Sequence, residues 1–501
     1  MIVIIGLFCL FVSVLIESLI YLNKKYWKHK AQFALSALLF NVLSVMFITI
    51  NSNGWLLLVA ILAVYKQINL GRILVNKLPD KHLNSLGARS FVVLTLLQAV
   101  IIITWQVIEL ILGGDIYATT VIAGLLYLSL LSSIIVFMTT LTKIYLSSPK
   151  NKHTLSLNEL PTVSVCIPAR NETPTLTSCL NSVIASEYPK LEILVLDDDS
   201  QDTTAEIIRS FANKGVRFIR REHHSGEWLA KNNAYQTLLE HASGEAIFFM
   251  GVDVRLHKNA LNGLVEELIS RELTMMTVFP RRTKSGLVAS FIQPIRYWWE
   301  LAMPKIILKR QPALSTSWMI MRQDLLNISG FKTYKRSIIP EEHLARFFDD
   351  INKYGYIRTN NRCRVTTHKN FLSQWDTAVR TRYPHAHRRP ENVLMASLAM
   401  FSLVLLPFLY FPFTISNFVL PANDMVIILA VIFYLSSHVL ISAITNPIAG
   451  FLAPLNFPIA VTLDFLAMHV SMFKYEFSKV VWKGRDVGPH KLKVYKSLPK
   501  V

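Results

Sequence analysis

Three short stretches place carboxylates where a folded chain can use them: "LVLDDDS" (194–200), "FFMGVDV" (248–254) and "PEEHL" (340–344). In the first two, a run of strand-forming apolar residues ends at an acid. Open α/β sheets gather their ligands at such strand ends. Asp197 and Asp198 can accept hydrogen bonds from hydroxyls or from a ring N–H. Side chains two apart on a strand share a face, so an acid at 251 would accompany Asp253, but the position is Gly251. One carboxylate still suits a magnesium-like cation when substrate phosphates and water complete its shell. Pro340 then opens a helix with Glu341 and Glu342 in its first turn. Either acid there can serve as a general base, and the same pattern also suits an ordinary helix start. Lys231, in "WLAKNNA", is a point charge suited to phosphate oxygens or equally to a solvated helix face.

These groups need a scaffold, and the surrounding pattern supplies one. "TVSVCIPA", "LEILVLD", "VRFIR" and "EAIFFMGV" read as strands. "LTSCLNSVIA", "TTAEIIRSFANK" and residues 228–241 have helical spacing. Strands alternating with helices imply a mostly parallel, Rossmann-like sheet covered on both faces. This α/β domain is expected over 160–390.

The rest of the chain is different. Of 501 residues, 52% are hydrophobic, and the basic excess is 52 − 33 = +19. Long uncharged runs occupy both ends, while most charge lies in the middle, as in a membrane protein carrying a polar domain. Five spans are expected in 1–146, over 1–22, 32–50, 54–65, 91–113 and 119–142, with 66–90 lying along the interface as an amphipathic segment. Basic "NKKYWKHK" and the lysines and arginines of 66–90 alternate with connections that lack a base, "NSNG" and "GGDIY". That alternation puts the α/β domain in the cytoplasm, between α-helical transmembrane regions. Residues 391–501 offer two to three spans or re-entrant segments, with the prolines of 447–475 as breakers, and a basic cytoplasmic tail. Cys9, Cys166, Cys179 and Cys363 have neither CxxC nor zinc-ligand spacing and read as reduced and buried. The basic excess fits loops beside anionic lipid, and no nucleic-acid partner is expected.

In order and spacing, "VSVCIPARNET", "YPKLEILVLDDDSQDTT", "EWLAKNNA", "ASGEAIFFMGVDV" and "PEEHLARFF" resemble family 2 glycosyltransferases, the inverting type with a GT-A fold. "VWKGRD" (481–486) resembles the tail of membrane-bound members that glycosylate lipids. The resemblance implies a nucleotide-sugar donor, such as a UDP-sugar, held by Pro168, Ala169, Arg170, Asn171, Glu172, Asp197, Asp198, Lys231, Val252 and Asp253. It further implies Mg²⁺ or Mn²⁺ on Asp253 and a base at Glu341 or Glu342; spacing to Leu344 favours the first, order within the pair the second. Where processive members carry (Gln/Arg)-x-x-Arg-Trp, this chain has Val379, Arg382 and Tyr383. Phe371, Trp375, Val379 and Tyr383 recur every four residues, as on a helix lying at the membrane face; residues 286–309 give a second such helix. Trp375, Arg382 and Tyr383 are thus expected on the acceptor side, with a lipid or lipid-linked acceptor. The rival expectations are a processive polysaccharide synthase and a non-catalytic nucleotide-sugar-binding scaffold, the latter because of Gly251.

Overall fold

The computed structural model describes residues 2–22, 29–50, 54–75, 87–112, 114–149, 155–220, 228–283, 288–414 and 422–486. The chain forms two compact units: Met1–Ser129 with Val379–Leu406 and Phe465–Val501, and Leu130–Ala378 with Pro407–Asp464.

The second unit holds the α/β domain. Its main sheet is built from β1 (Val163–Ala169), β2 (Leu191–Asp197), β3 (Val216–Arg220), β4 (Ala246–Met250), β6 (Met275–Phe279), β8 (Ser317–Met321) and β9 (Tyr354–Arg358), in the order β3-β2-β1-β4-β8-β6-β9. β8 runs antiparallel to both neighbours and every other pairing is parallel. A smaller sheet, β5-β10-β7, joins Val254–Leu256, Val365–Thr367 and Arg281–Arg282. Two cores follow from strand alternation. Val165, Ile167, Val195 and Phe248 face one, and Cys166, Leu194, Leu196 and Phe249 face the other. The expected doubly covered, mostly parallel sheet is present, and all four cysteines are free and buried.

Among the described residues, eight helices are long and apolar enough to cross a membrane. Their packing is inverted relative to a water-soluble bundle. Apolar side chains such as Phe8, Leu35, Leu96 and Phe451 are exposed, while Ser13, Glu17, Lys66 and Arg72 are buried. Polar groups turned inward and apolar groups outward suit hydrocarbon, where an outward charge is costly. The helix Gly54–Leu74 runs through residues expected to lie in the interfacial segment 66–90. The polar positions are accommodated because they find partners inside the first unit. Lys66 lies 3.9 Å from Glu17, and Arg72 donates to Glu476 at 2.5 Å and to the Tyr383 hydroxyl at 2.6 Å. Pro454 and Pro458 lie within a continuous helix, Pro447–Phe477, with no re-entrant break. Residues 76–86, the "NKKYWK" part of the first basic cluster and the basic tail beyond 486 lie outside the described residues.

The helix Phe371–His385 forms as its four-residue repeat predicts. Among the described residues of the segment 286–309, a helix forms over Ala289–Ala302, and Pro304 then starts a single helical turn, Lys305–Leu308. That turn leaves Ile306 84% and Ile307 61% exposed.

Phe249 stacks on Trp318 with ring centroids 4.5 Å apart and has no exposed surface. Phe249→Ala is expected to cost about 3–5 kcal/mol of stability, the range for buried aromatic truncations. Thermal unfolding of the detergent-purified protein should show a clearly lowered midpoint.

Candidate active site

The first wall of the site is a pair of interlocked turns. Ala169 at the end of β1 sits beside Asp197 at the end of β2. Asp198 N donates to the Ala169 carbonyl at 2.9 Å, and the Arg170 guanidinium donates to the carbonyls of Asp198 (2.5 Å) and Asp199 (2.7 Å). Asn171 takes a left-handed φ of 50°, a conformation Asn tolerates better than most residues. Its backbone N donates to Ser200 Oγ at 3.0 Å, and its Oδ1 accepts from Gln201 N at 2.9 Å. Glu172 N donates to Thr204 Oγ1 at 2.8 Å. The expected donor-loop residues are therefore together with both acids, each only 3% exposed. Asp197 steadies its own turn by accepting from Ser200 N at 3.3 Å. Pro168 is half-buried beside Leu196 in the sheet.

The second wall is the turn after β4. Gly251 N donates to the Thr316 carbonyl at 3.0 Å, and Val254 N donates back to the Gly251 carbonyl at 3.0 Å. Val252 packs into the core, so any contact it makes with a ligand is through its backbone. Asp253 Oδ2 accepts from the Thr367 hydroxyl at 2.7 Å and lies 3.5 Å from Lys369 Nζ. Burial alone raises the Asp253 carboxyl, but Lys369, the Thr367 hydroxyl and Arg282 together hold it below its ordinary range. It is therefore a carboxylate at neutral pH. A Cβ at Gly251 would come within 2.6 Å of Asp253 Oδ1 and otherwise meet nothing closer than 3.8 Å. The space left by the missing acid is thus partly taken by the surviving one. No group of three or more His, Cys, Asp or Glu side chains converges on a metal position among the described residues. A divalent cation here fits as a one-carboxylate site: Asp253 Oδ1 would hold it, with phosphate and water completing the shell.

The third element is the helix Pro340–Asp350, which begins with proline and carries both acids in its first turn. The sequence left these two acids undivided; the structure separates them. Glu341, 1% exposed, is gripped by Lys231 Nζ at 3.0 and 3.2 Å, and Lys231 remains 27% exposed. Glu342 turns away to Arg310 Nη2 at 2.7 Å. Arg310 also donates to both oxygens of Glu300, at 2.7 and 3.1 Å, and Ala313 N donates to the same carboxylate at 2.9 Å. Burial pushes the Glu300 carboxyl up, but Arg310 overrides it and holds it below the usual range. Burial also lowers the His343 imidazole, which stacks on Tyr334 at 5.0 Å.

Sequence reasoning missed Lys369, Thr367, Arg310 and Glu300. Glu300, a lone acid in "YWWELAM", was the one visible signal, since a charge among aromatics needs a buried partner. The expected acceptor-side residues lie on one helix, Phe371–His385. In the second unit, Trp375 packs with Trp299, Phe371 and Leu463. In the first unit, Arg382 is buried, and Tyr383 is wholly enclosed, its hydroxyl donating to Glu476 at 2.6 Å. The Tyr383 ring therefore offers no platform for an incoming acceptor, because its face and its hydroxyl are both already used.

Residues 164–328 match the family described as Glycosyl transferase family 2. Among curated relatives, a 4,4'-diaponeurosporenoate glycosyltransferase from Staphylococcus haemolyticus is 29% identical over 210 residues, 41% of this chain and 48% of that one. The Escherichia coli UDP-Glc:α-D-GlcNAc-diphosphoundecaprenol β-1,3-glucosyltransferase WfgD is 27% identical over 133 residues, 26% of this chain and 51% of that one. The chain thus spans about half the length of these relatives. A mannosyltransferase from Pyrobaculum calidifontis, solved with GDP-Man and Mn²⁺, aligns over 70% of this chain and 98% of its own, with TM-score 0.42 and 17% identity. Residues 164–328 of the central domain thus carry the glycosyltransferase family 2 match, and its sheet places Asp197 at the carboxyl end of β2 and Asp253 just beyond β4.

Two outcomes test this geometry. Gly251→Ala should fold normally, because only the tip of Asp253 must yield, yet displacing that tip should weaken UDP or GDP binding about tenfold, measured by calorimetry (1.4 kcal/mol). Arg310→Ala strands two buried carboxylates and should cost about 3–5 kcal/mol of stability, read from the unfolding midpoint.

Proposed function

We propose that this protein transfers a sugar from a nucleotide-sugar donor to a hydroxyl of a lipid or lipid-linked acceptor, inverting the anomeric carbon. The observation that carries the reading is the division of the acid pair. Glu342 is committed to a structural guanidinium, whereas Glu341 faces a lysine still reachable from solvent. Glu341 is the base. It takes the proton of the acceptor hydroxyl as that oxygen attacks the anomeric carbon. The bond from that carbon to the phosphate oxygen breaks, and the nucleotide diphosphate leaves with the bonding pair. Lys231 is poised for two partners. Without donor it neutralises Glu341; with donor its charge is drawn to the diphosphate, which releases the carboxylate to act as base. Asp198, with the turn that Arg170 ties down, would receive the nucleoside. A Mg²⁺ or Mn²⁺ ion held by Asp253 would neutralise charge on the departing diphosphate.

Several features support a membrane acceptor. Among the described residues, eight apolar helices precede or follow the domain in the chain, and the exposed Ile306 and Ile307 give it an apolar tip. The relatives named for a diphosphoundecaprenol and for a diaponeurosporenoate acceptor act on lipid-like substrates. The alternation of basic connections with ones that lack a base supports a cytoplasmic domain.

The test uses detergent-purified protein with a panel of nucleotide sugars and membrane-lipid extracts, followed by mass spectrometry. Glu341→Gln should lower transfer about 10²–10⁴-fold while leaving UDP or GDP affinity within threefold of wild type. Asp253→Ala should lower both. Nucleotide binding with no transfer to any lipid, for every donor, would replace this reading with a binding-only role.

A further inference from the structure

The second unit contains a cavity of about 510 Å³ that the reaction above does not use. Arg281, Arg358 and Arg364 line it, with apolar walls from Ile144, Leu440 and Ile444 and no lining carboxylate. None of the three arginines pairs with an acid among the described residues, although Arg358 Nη2 lies 3.4 Å from Ser148 Oγ. Three arginines with no lining carboxylate give the cavity a local positive charge that favours an anion.

Two further facts locate the cavity. Arg281 and Arg282 are adjacent on a strand and so point to opposite faces. Arg282 is buried on the side where its charge acts on Asp253, while Arg281 turns to the cavity. The cavity is therefore separate from the donor site, across the small sheet. Ile144 lies in the last turn of the apolar helix Ile122–Leu146, and Leu440 and Ile444 lie near the end of Asn423–Thr445. Apolar walls thus come from the ends of two candidate spans, and the guanidinium groups sit where those spans stop. Helix C-termini present carbonyls rather than amides, so the arginines must supply the attraction for an anion.

From this we infer that the cavity is a binding site for the phosphate headgroup of an anionic membrane lipid. Three guanidinium groups suit phosphate oxygens, and the apolar walls suit the first methylenes of the acyl chains. A sugar or a free nucleotide would leave those walls unused. The inference does not rest on glycosyl transfer.

The full chain in neutral detergent is heated with dioleoylphosphatidic acid, with dioleoylphosphatidylcholine, or with inorganic phosphate alone. Phosphatidic acid should raise the unfolding midpoint at concentrations at least tenfold below those needed of the other two. Arg281 and Arg364 are exposed, so the double variant Arg281→Gln/Arg364→Gln should fold and lose that preference at least tenfold, with UDP or GDP binding unchanged. Leu440→Trp keeps every arginine, fills the apolar wall and should also remove the preference. Equal shifts from both lipids, or from inorganic phosphate alone, would overturn the assignment, as would an unchanged preference in the double variant.

Discussion

One buried guanidinium governs the geometry of the site. Arg310 joins Glu300, on the helix Ala289–Ala302, to Glu342, on the first turn of Pro340–Asp350. Lys143 donates to the carbonyls of Glu300 (2.8 Å) and Met303 (2.5 Å), so the end of an apolar helix is tied to the same network. A buried ion cluster of this kind adds little net stability, because desolvation offsets most of the attraction. Its effect is positional. With Glu342 fixed, the helix cannot rotate, and Glu341 is presented to Lys231 rather than to the core.

That division explains why the acid pair was only half legible in the sequence. Two adjacent glutamates after a proline announce a helix start, but their partners lie far away: Lys231 is 110 residues from Glu341, and Arg310 lies before β8. Strands were easier to read because each carries its own evidence. Alternating apolar residues in "SVCIPA" and "ILVLD" assign two faces without knowledge of any partner, and the two cores divide accordingly. The same difference accounts for the third helix. Lys66 and Arg72 look like the end of a span when read locally, and partners far along the chain, among them Glu17, Tyr383 and Glu476, make them tolerable inside it.

Gly251 is the point where sequence and structure inform each other most closely. The motif lacks an acid, and the structure gives the surviving carboxylate three stabilisers in exchange: the Thr367 hydroxyl, the Lys369 ammonium and the charge of Arg282. Thr367 and Lys369 come from a strand and loop more than a hundred residues downstream, so no local pattern could have predicted them. Protein cations thus balance the charge of the one remaining carboxylate.

The turn behind Pro304 carries a practical consequence. Ile306 and Ile307 stand outward between Lys305 and Lys309, a greasy tip flanked by positive charge. Excising the helices at either end of the chain would not remove it. A central domain cut free of every span would still present this apolar tip to solvent, so amphiphile belongs in its preparation.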